Sequence, residues 1–364
     1  MKVLIIGPLP NPINGCSLAN EVLMANLKKN GVACNAINTS TASVSSHQGK
    51  QFSFRKAIGF VSTYFELYKI FFSQIVYLTP GQTFFGILKY APFILLCIIS
   101  GKPYVIHIHG NYLGREYAKL QGIKASIFRF LLSKASAGIV LSASLKNNFA
   151  RLLPDDKVFV VENFVEDKII QQFDVCRKKN DIIRVVFLSN LMKEKGIIDV
   201  LDAMILLKKD GVDFKAKIAG IIEHSVNDII LDKLKDLDGI VEYVGIVKGE
   251  AKLNILTEAN VFILPTYYEM EGQPISILEA MGTGNIIIST PHAGIPDIMT
   301  LENGYFVEPQ NPNNIASILK EISTNVRAAL QQYASSNAAY IKNNFTENKF
   351  QQKICNVLLS TLKK

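Results

Sequence analysis

Short apolar runs rich in Val, Ile and Leu recur along the chain, and longer stretches between them return apolar side chains every three or four residues. In the first half the short runs fall at 2–7, 32–38, 74–79, 103–110, 137–142 and 157–163. They read as strands, with helices between them, such as SLANEVLMANLKKNG from Ser17 and YAKLQGIKASIFRFLLSK from Tyr117. After Asn163 the pattern breaks into the polar, aperiodic FVEDKIIQQFDVCRKKND. It then restarts, with strands expected at 183–190, 214–220, 239–245, 261–266, 285–290 and 304–309, and helix from about 313 to 362. Strands that are apolar throughout and alternate with helices indicate parallel sheets covered on both faces. The expected architecture is therefore α/β, with two doubly wound Rossmann-like domains facing across a cleft. The expected divisions are a first domain over 1–164, a linker over 165–181, a second domain over 182–345, and a helix over 346–364 packing back on the first domain.

The length of 364 residues suits two domains of ordinary size. Cys16, Cys34, Cys97, Cys176 and Cys355 are far apart and odd in number, which argues for a reducing compartment and against a disulfide framework. The opening MKVLIIGPLP turns after a few apolar residues and reads as a first strand rather than a signal peptide. The longest apolar stretch, 84–99, is broken by Lys89 and Pro92 and falls short of the ~20 residues of a membrane span. The net charge of +8 is unevenly spread: residues 1–165 hold 17 basic and 6 acidic side chains, and the rest hold 22 and 25. A basic first half suggests a surface that meets something anionic.

The stretch 265–299 carries the chemistry. A buried strand, VFILPT, leads into a loop over 267–273. Pro274 suits the first position of a helix, and Gly282 or Gly284 ends it. A helix N-terminus beside Gly272 offers free N–H groups and the positive end of a dipole to a phosphate. Glu271 and Glu279 flank that position, where each carboxylate can accept hydrogen bonds from vicinal hydroxyls. Two glutamates eight residues apart are ordinarily solvated surface charges. The preceding strand, the Gly272–Gln273–Pro274 turn between them and the HAGIP turn after the next strand argue for a site instead.

EGQPISILE, Glu271 to Glu279, resembles the E-x7-E element of retaining glycosyltransferase family 4, whose two-domain fold is called GT-B. PLPNPING, HIHG, VLSASLK, VVENFV, LSNLMKEKG, YVG, PTYYEMEG and AGIPDI fall in that family's order along nearly the whole chain. The resemblance implies that Lys195 grips the donor diphosphate and Glu279 the ribose, while Glu271 touches the transferred sugar near its reacting carbon. It implies that Gly272, Gln273 and Pro274 bring backbone to sugar and phosphates. His109 would contact the sugar from the opposite domain, and Gly15 would let the first loop approach the diphosphate. Asn190, which the resemblance places among the donor-binding residues, stands where family members often carry arginine, so one phosphate-binding cation is missing or another residue such as Lys193 substitutes for it.

Lys195 at a helix start opposes the dipole, which makes sense where an anion binds. His107 and His109 alternate onto one face of a strand with no third ligand in view, so no metal is expected; His109 reads as a hydrogen-bond donor to sugar and His107 as packed in the sheet. No Asp-x-Asp pair follows a strand, which fits a metal-independent enzyme that neutralises its leaving group with Lys195 and a helix N-terminus. Walker, G-x-G-x-x-G and G-x-S-x-G loops are missing from the sequence, which argues against an ATPase, a dehydrogenase and an α/β hydrolase.

The expected activity is retaining transfer of a hexose-type unit from a nucleoside diphosphate sugar to a hydroxyl of a glycan or lipid-linked acceptor, in bacterial cell-surface polysaccharide or lipopolysaccharide synthesis. The expected location is the cytoplasm, including the inner face of the cell membrane. Arg115, Lys119, Lys124, Arg129 and Lys134, with Phe52, Phe54, Phe60, Tyr64, Arg55 and Lys56, are the expected contact with an anionic membrane. Nucleic acid is not expected as a partner. A nucleotide-sugar epimerase of the same architecture and a non-catalytic sugar-nucleotide-binding subunit are the alternatives.

Overall fold

The apolar runs assemble into two parallel sheets of six strands each. A computed structural model describes residues 1–12, 14–40, 59–172 and 178–363. The first sheet comprises β1 (Lys2–Gly7), β2 (Ala33–Asn38), β3 (Ile75–Leu78), β4 (Tyr104–Ile108), β5 (Ala137–Val140) and β6 (Val158–Val160), in the order β2-β1-β3-β4-β5-β6. The second comprises β7 (Ile183–Leu188), β8 (Phe214–Ala219), β9 (Val241–Gly245), β10 (Val261–Leu264), β11 (Ile286–Ser289) and β12 (Gly304–Phe306), in the order β12-β11-β10-β7-β8-β9. These are two doubly wound, Rossmann-like domains. Each winds outward one way, returns and winds the other way, so its strand order reverses once, beside β1 in one sheet and β7 in the other. Such switch points leave a crevice beyond the carboxyl ends of the strands, where ligands bind.

Register and alternation decide which side chains each face buries. Leu4 pairs with Val76 and Ile5 with Tyr77 across β1 and β3. Leu4, Val76 and Ile106 therefore enter one core and Ile5, Tyr77 and Val105 the other. A slip of one residue would exchange the two sets.

The crossing between domains is tighter than a polar linker over 165–181 suggests. Val165 donates to the Phe345 carbonyl at 2.8 Å and bridges Thr346, so the outgoing and returning strands of chain run side by side. Val165 and Ile169 already belong to the second core, and a helix spans Asp167–Gln172. Lys178 is buried, donating to the Leu256 carbonyl at 2.9 Å and Asn285 Oδ1 at 3.1 Å; burial pushes its ammonium well below the usual lysine range. A polar sequence can thus be part of a core when its polar atoms find carbonyls.

Other differences have local causes. The single helix expected from Tyr117 is two, Leu113–Lys119 and Gly122–Ser133, broken at Leu120, whose ψ of 145° is extended, and at Gly122, whose φ of +56° is left-handed. The first helix begins at Gly15 rather than Ser17, because Asn14 and Ser17 form a reciprocal capping box. The stretch 84–99 forms two helices, Phe84–Leu88 and Ala91–Ile99. Among the described residues no helix is long and apolar enough to cross a membrane. Phe60 and Tyr64, expected in a surface patch, instead pack inward: Phe60 is buried against Tyr90, and the Tyr64 hydroxyl donates to the Lys89 carbonyl at 2.8 Å. Phe52, Phe54, Arg55 and Lys56 lie outside the described residues, as do His47 and Cys176.

The last helix, Glu347–Leu362, returns to the first domain. It buries Phe350, Ile354, Val357 and Leu358 beside Leu23 and Leu27, with the Phe350 ring 4.7 Å from that of Phe164. Ile354→Ala leaves a cavity under this helix and is expected to cost about 3 kcal/mol of stability. Denaturant unfolding checks it, and a midpoint equal to wild type would mean that the helix does not hold the first domain.

Candidate active site

The two switch points face each other, and the side chains expected to carry chemistry gather between them. In the second domain the chain leaves β7 through Ser189 and Asn190 and makes a tight turn over Lys193–Lys195 before the helix Ile197–Lys209. Lys195 therefore sits just before that helix rather than in its first turn. Gly196 makes the bend possible: its φ is +79°, and a Cβ there would lie 2.6 Å from Pro265 Cγ. The turn is tied to the end of β10 by Tyr267 N–H donating to the Glu194 carbonyl at 2.8 Å and by Thr266 Oγ1 donating to the same carbonyl at 3.3 Å. The Asn190 backbone carbonyl accepts from Met192 N–H at 3.0 Å, and Asn190 is half-buried just after β7.

Lys195 and Glu271 form a pair there. The ammonium lies 2.5 Å from Glu271 Oε2, which also accepts from Thr266 Oγ1 at 2.9 Å. Glu271 is 7% exposed. The Tyr268 ring lies beside the ammonium, its centroid 5.2 Å away. Two opposite charges are thus held out of water, close enough to neutralise each other.

Gly272 is where the domains touch. A Cβ on it would lie 2.7 Å from the His109 carbonyl oxygen, so backbone meets backbone. Gly110 is equally confined, with the Met270 carbonyl 2.5 Å from its would-be Cβ. Gln273 then spans the interface. Its Oε1 accepts from Asn163 N–H at 2.6 Å, its Nε2 donates to the Leu141 carbonyl at 3.0 Å, and its own carbonyl accepts from Asn163 Nδ2 at 2.8 Å. Asp297 accepts from Ser144 N–H at 2.9 Å across the same seam, and that hydrogen bond holds its carboxyl below the usual range although burial opposes the charge.

Pro274 is the residue before the helix Ile275–Gly282 rather than its first turn, because its ψ of 117° is extended. The N–H groups of Ile275 and Ser276 at its start have no partner within the helix, as at any helix N-terminus. Gly15, at the start of the first domain's helix Gly15–Lys29, lies opposite: a Cβ on it would be 3.4 Å from Ile275 Cδ1. The positive ends of two helices therefore converge.

Glu279, one turn further on, is 3% exposed, and its Oε1 lies 2.5 Å from Lys252 Nζ. Burial pushes the carboxyl up, against the pull of Lys252. For Lys252 burial opposes the charge, but Glu279 and Glu166, the latter at 3.4 Å, outweigh it and raise the pKa. Lys252 and Asn163 escaped the sequence reading. Asn163 lies in the VVENFV segment quoted above, whereas a lysine in an ordinary amphipathic helix carries no signal of its own.

His109 follows β4. Neither ring nitrogen has a hydrogen-bond partner although both are buried, and burial pushes its pKa down to about 4. His107 is buried beneath it, ring centroids 4.1 Å apart, with Nδ1 2.5 Å from the Tyr77 hydroxyl. Among the described residues no three His, Cys, Asp or Glu side chains gather as metal donors. A separate hollow lined by Lys179, Arg184, Lys215 and Glu258 lies at the amino ends of β7 to β9, the wrong end of the sheet for a switch-point ligand.

Comparison with known proteins follows the same lines. Residues 183–325 match the family described as "Glycosyl transferases group 1". The putative colanic acid biosynthesis glycosyltransferase WcaL of Escherichia coli K12 is 29% identical over 133 residues, 35% of this chain and 33% of that protein. The chain thus spans about a third of WcaL's length. The uncharacterized glycosyltransferase MJ1069 of Methanocaldococcus jannaschii is 26% identical over 324 residues, 80% of this chain and 76% of that protein. Among solved structures, Anabaena HepE in complex with UDP superposes with a TM-score of 0.73 at 14% identity, covering 99% of this chain and 100% of that one.

The fold is GT-B. In a GT-B protein the carboxyl ends of both sheets line one cleft, and here Lys195, Gly272, Gln273, Glu279, His109 and Gly15 all lie along it.

His109 binds a proton less readily folded than unfolded. It therefore costs nothing above its ordinary pKa near 6.5, and stability is lost as the pH falls from there towards 4. His109→Asn should remove up to about 3 kcal/mol of that loss, read as the difference between the two proteins' denaturation curves across the window. Identical pH dependence in both would mean that the ring is solvated. Lys252→Met strands a buried carboxylate and should cost about 3–5 kcal/mol. Adding Glu279→Leu should recover most of it; a double variant as unstable as the single one would count against the pair.

Proposed function

We propose that the protein is a glycosyltransferase that moves a hexose-type sugar from a nucleoside diphosphate donor to an acceptor hydroxyl, with retention at the anomeric carbon and without a metal. The observation that carries this reading is the Lys195–Glu271 pair, with Glu271 on the loop that leads into the helix Ile275–Gly282. The start of that helix lies against Gly15, and Gly272 of the loop touches the backbone of His109, a residue with two unpartnered ring nitrogens. An anion entering there meets an ammonium and two positive dipole ends, and a polar sugar meets an imidazole with buried, unpartnered nitrogens. The family match over residues 183–325, the UDP bound by HepE and the polysaccharide role in WcaL's name support a sugar nucleotide and a glycan product.

In this reading the diphosphate draws Lys195 from Glu271 and takes its charge. Glu279, steadied by Lys252, accepts from the ribose hydroxyls. Gly272, Gln273 and Pro274 present backbone to the sugar, His109 bonds a sugar hydroxyl, and Gly15 lets the first helix approach the phosphates. Asn190 hydrogen-bonds to the donor. The bond from the anomeric carbon to the β-phosphate oxygen breaks as negative charge grows on the phosphate, where Lys195 and the helix end at Ile275 stabilise it. The acceptor oxygen bonds to the same face of the carbon, and its proton passes to the departing phosphate oxygen. Glu271 orients the sugar and stabilises its oxocarbenium character. The closed seam around Gly272 keeps out water that would hydrolyse the donor.

Thermal melting with UDP, GDP, ADP and their sugars, in EDTA, tests the reading. A ligand at about 100 times its dissociation constant adds about 2.7 kcal/mol to stability. One nucleotide should raise the melting temperature, and Lys195→Ala and Glu279→Ala should each abolish the rise relative to their own unliganded melts. The matching sugar nucleotide should then be consumed only with acceptor and give a product of unchanged anomeric configuration by NMR. No response to any nucleotide would sink the proposal, and conversion of donor without acceptor would point to an epimerase.

A further inference from the structure

The first domain covers its two sheet faces unequally. One face is sealed by the helices Gly15–Lys29 and Glu347–Leu362. The other is covered by the 3₁₀ helix Ser62–Ile70 and the helices Phe84–Leu88, Ala91–Ile99 and Gly122–Ser133, which bury one side in the core and turn the other outward. Ser62–Ile70 packs on Ala91–Ile99, which touches Gly122–Ser133, which in turn packs on Phe84–Leu88, so the four make one continuous layer.

Its outer side is apolar. Phe65 is 84% exposed, Ile99 81%, Ile123 79% and Phe72 71%, and Tyr68, Phe71, Phe85, Leu95, Ile127 and Phe130 are exposed beside them. Their spacing is regular. Ile123, Ile127 and Phe130 fall at i, i+4 and i+7 of one helix, with Lys134 continuing the row, and Leu95 and Ile99 at i and i+4 of the next. A water-facing helix does not ordinarily carry such a stripe, and a contiguous exposed apolar patch marks a surface that meets something.

Charge says what it meets. Residues 59–134 hold eight Lys and Arg against two Glu. Both glutamates are engaged within the domain: Glu66 pairs with Lys69, and Glu116 accepts from Phe84 N–H at 2.7 Å. Lys124, Arg129 and Lys134 are exposed on the same helix as the Ile123 row. Aromatic and aliphatic side chains rimmed by cations suit a bilayer with an anionic surface, where rings enter the headgroup boundary and cations stay with the phosphates.

The layer also adjoins the cleft. Phe84 begins its helix two residues after Gln82, whose Oε1 accepts from Tyr112 N–H at 2.7 Å and whose side chain lies against Gly110, next to His109. We propose that this four-helix face seats the protein on an anionic lipid surface, which presents an acceptor carried on an amphiphile to the first domain's side of the cleft. The presented acceptor rests on the glycosyltransferase reading, whereas the seating on lipid involves none of the donor-site residues and is tested without nucleotide.

Vesicle flotation without nucleotide tests it, using phosphatidylcholine alone and phosphatidylcholine with phosphatidylglycerol. Wild type should float with the anionic vesicles only, and high salt should release it. Phe65→Ser/Phe72→Ser/Ile99→Ser should abolish flotation, and Lys124→Gln/Arg129→Gln/Lys134→Gln should weaken it roughly a hundredfold. Both variants should keep the wild-type melting temperature; if the apolar one does not, the cationic one decides. Failure of wild type to float with anionic vesicles at low salt would overturn the proposal. So would equal flotation of wild type and the cationic variant, or a wild-type dimer in sedimentation that the variants convert to monomer, which would make the face a contact between copies.

Discussion

The backbone contact of Gly272 with His109 and Gly110 is the constraint on which the rest depends. No side chain fits between the domains there, so the carboxyl ends of the two sheets approach as closely as main chain allows. Gln273 then fastens the approach with three hydrogen bonds to Asn163 and Leu141, none of them exposed. The same few residues lead into the helix Ile275–Gly282, so what closes the cleft also aims its dipole. Fold and site are set by one turn of chain.

Around that turn the cleft stores charge rather than avoiding it. Lys195 with Glu271 and Lys252 with Glu279 are largely buried pairs, each a buried carboxylate with a partly buried lysine. Such pairs contribute little net stability, since desolvation offsets attraction. In the proposed chemistry a diphosphate takes over Lys195, and ribose hydroxyls take over the free oxygen of Glu279, so the incoming ligand replaces interactions instead of desolvating bare charges. The neutral, unpartnered ring of His109 completes the set from the other domain.

The first domain is asymmetric for a related reason. Its inner face is finished by a helix from the far end of the chain, which binds the two domains through the paired crossings at Val165 and Thr346. Its outer face is left apolar and basic. One side of the sheet is committed to holding the molecule together, and the other is available to a surface.

Periodicity determined the alternation of strand and helix, because parallel strands buried on both faces are apolar throughout and their helices are not. The glutamates of EGQPISILE were legible for the same kind of reason: a turn and a helix start leave a local mark in sequence. Contacts between residues far apart leave none. Nothing local distinguishes Lys252 from a surface lysine, Asn163 from a loop asparagine, or Phe60 from Phe65, yet tertiary packing pairs the first with Glu279, hydrogen-bonds the second to Gln273, and buries the third while exposing the fourth. Gly122 and Asn14 lie between these cases, since each acts locally but through a backbone angle or a reciprocal hydrogen bond. The sequence by itself determined which segments form strands and helices and where the turn into the helix Ile275–Gly282 falls. Only the tertiary structure decided which charges neutralise each other and which apolar side chains stay outside, because burial is a property of neighbours brought together from distant parts of the chain.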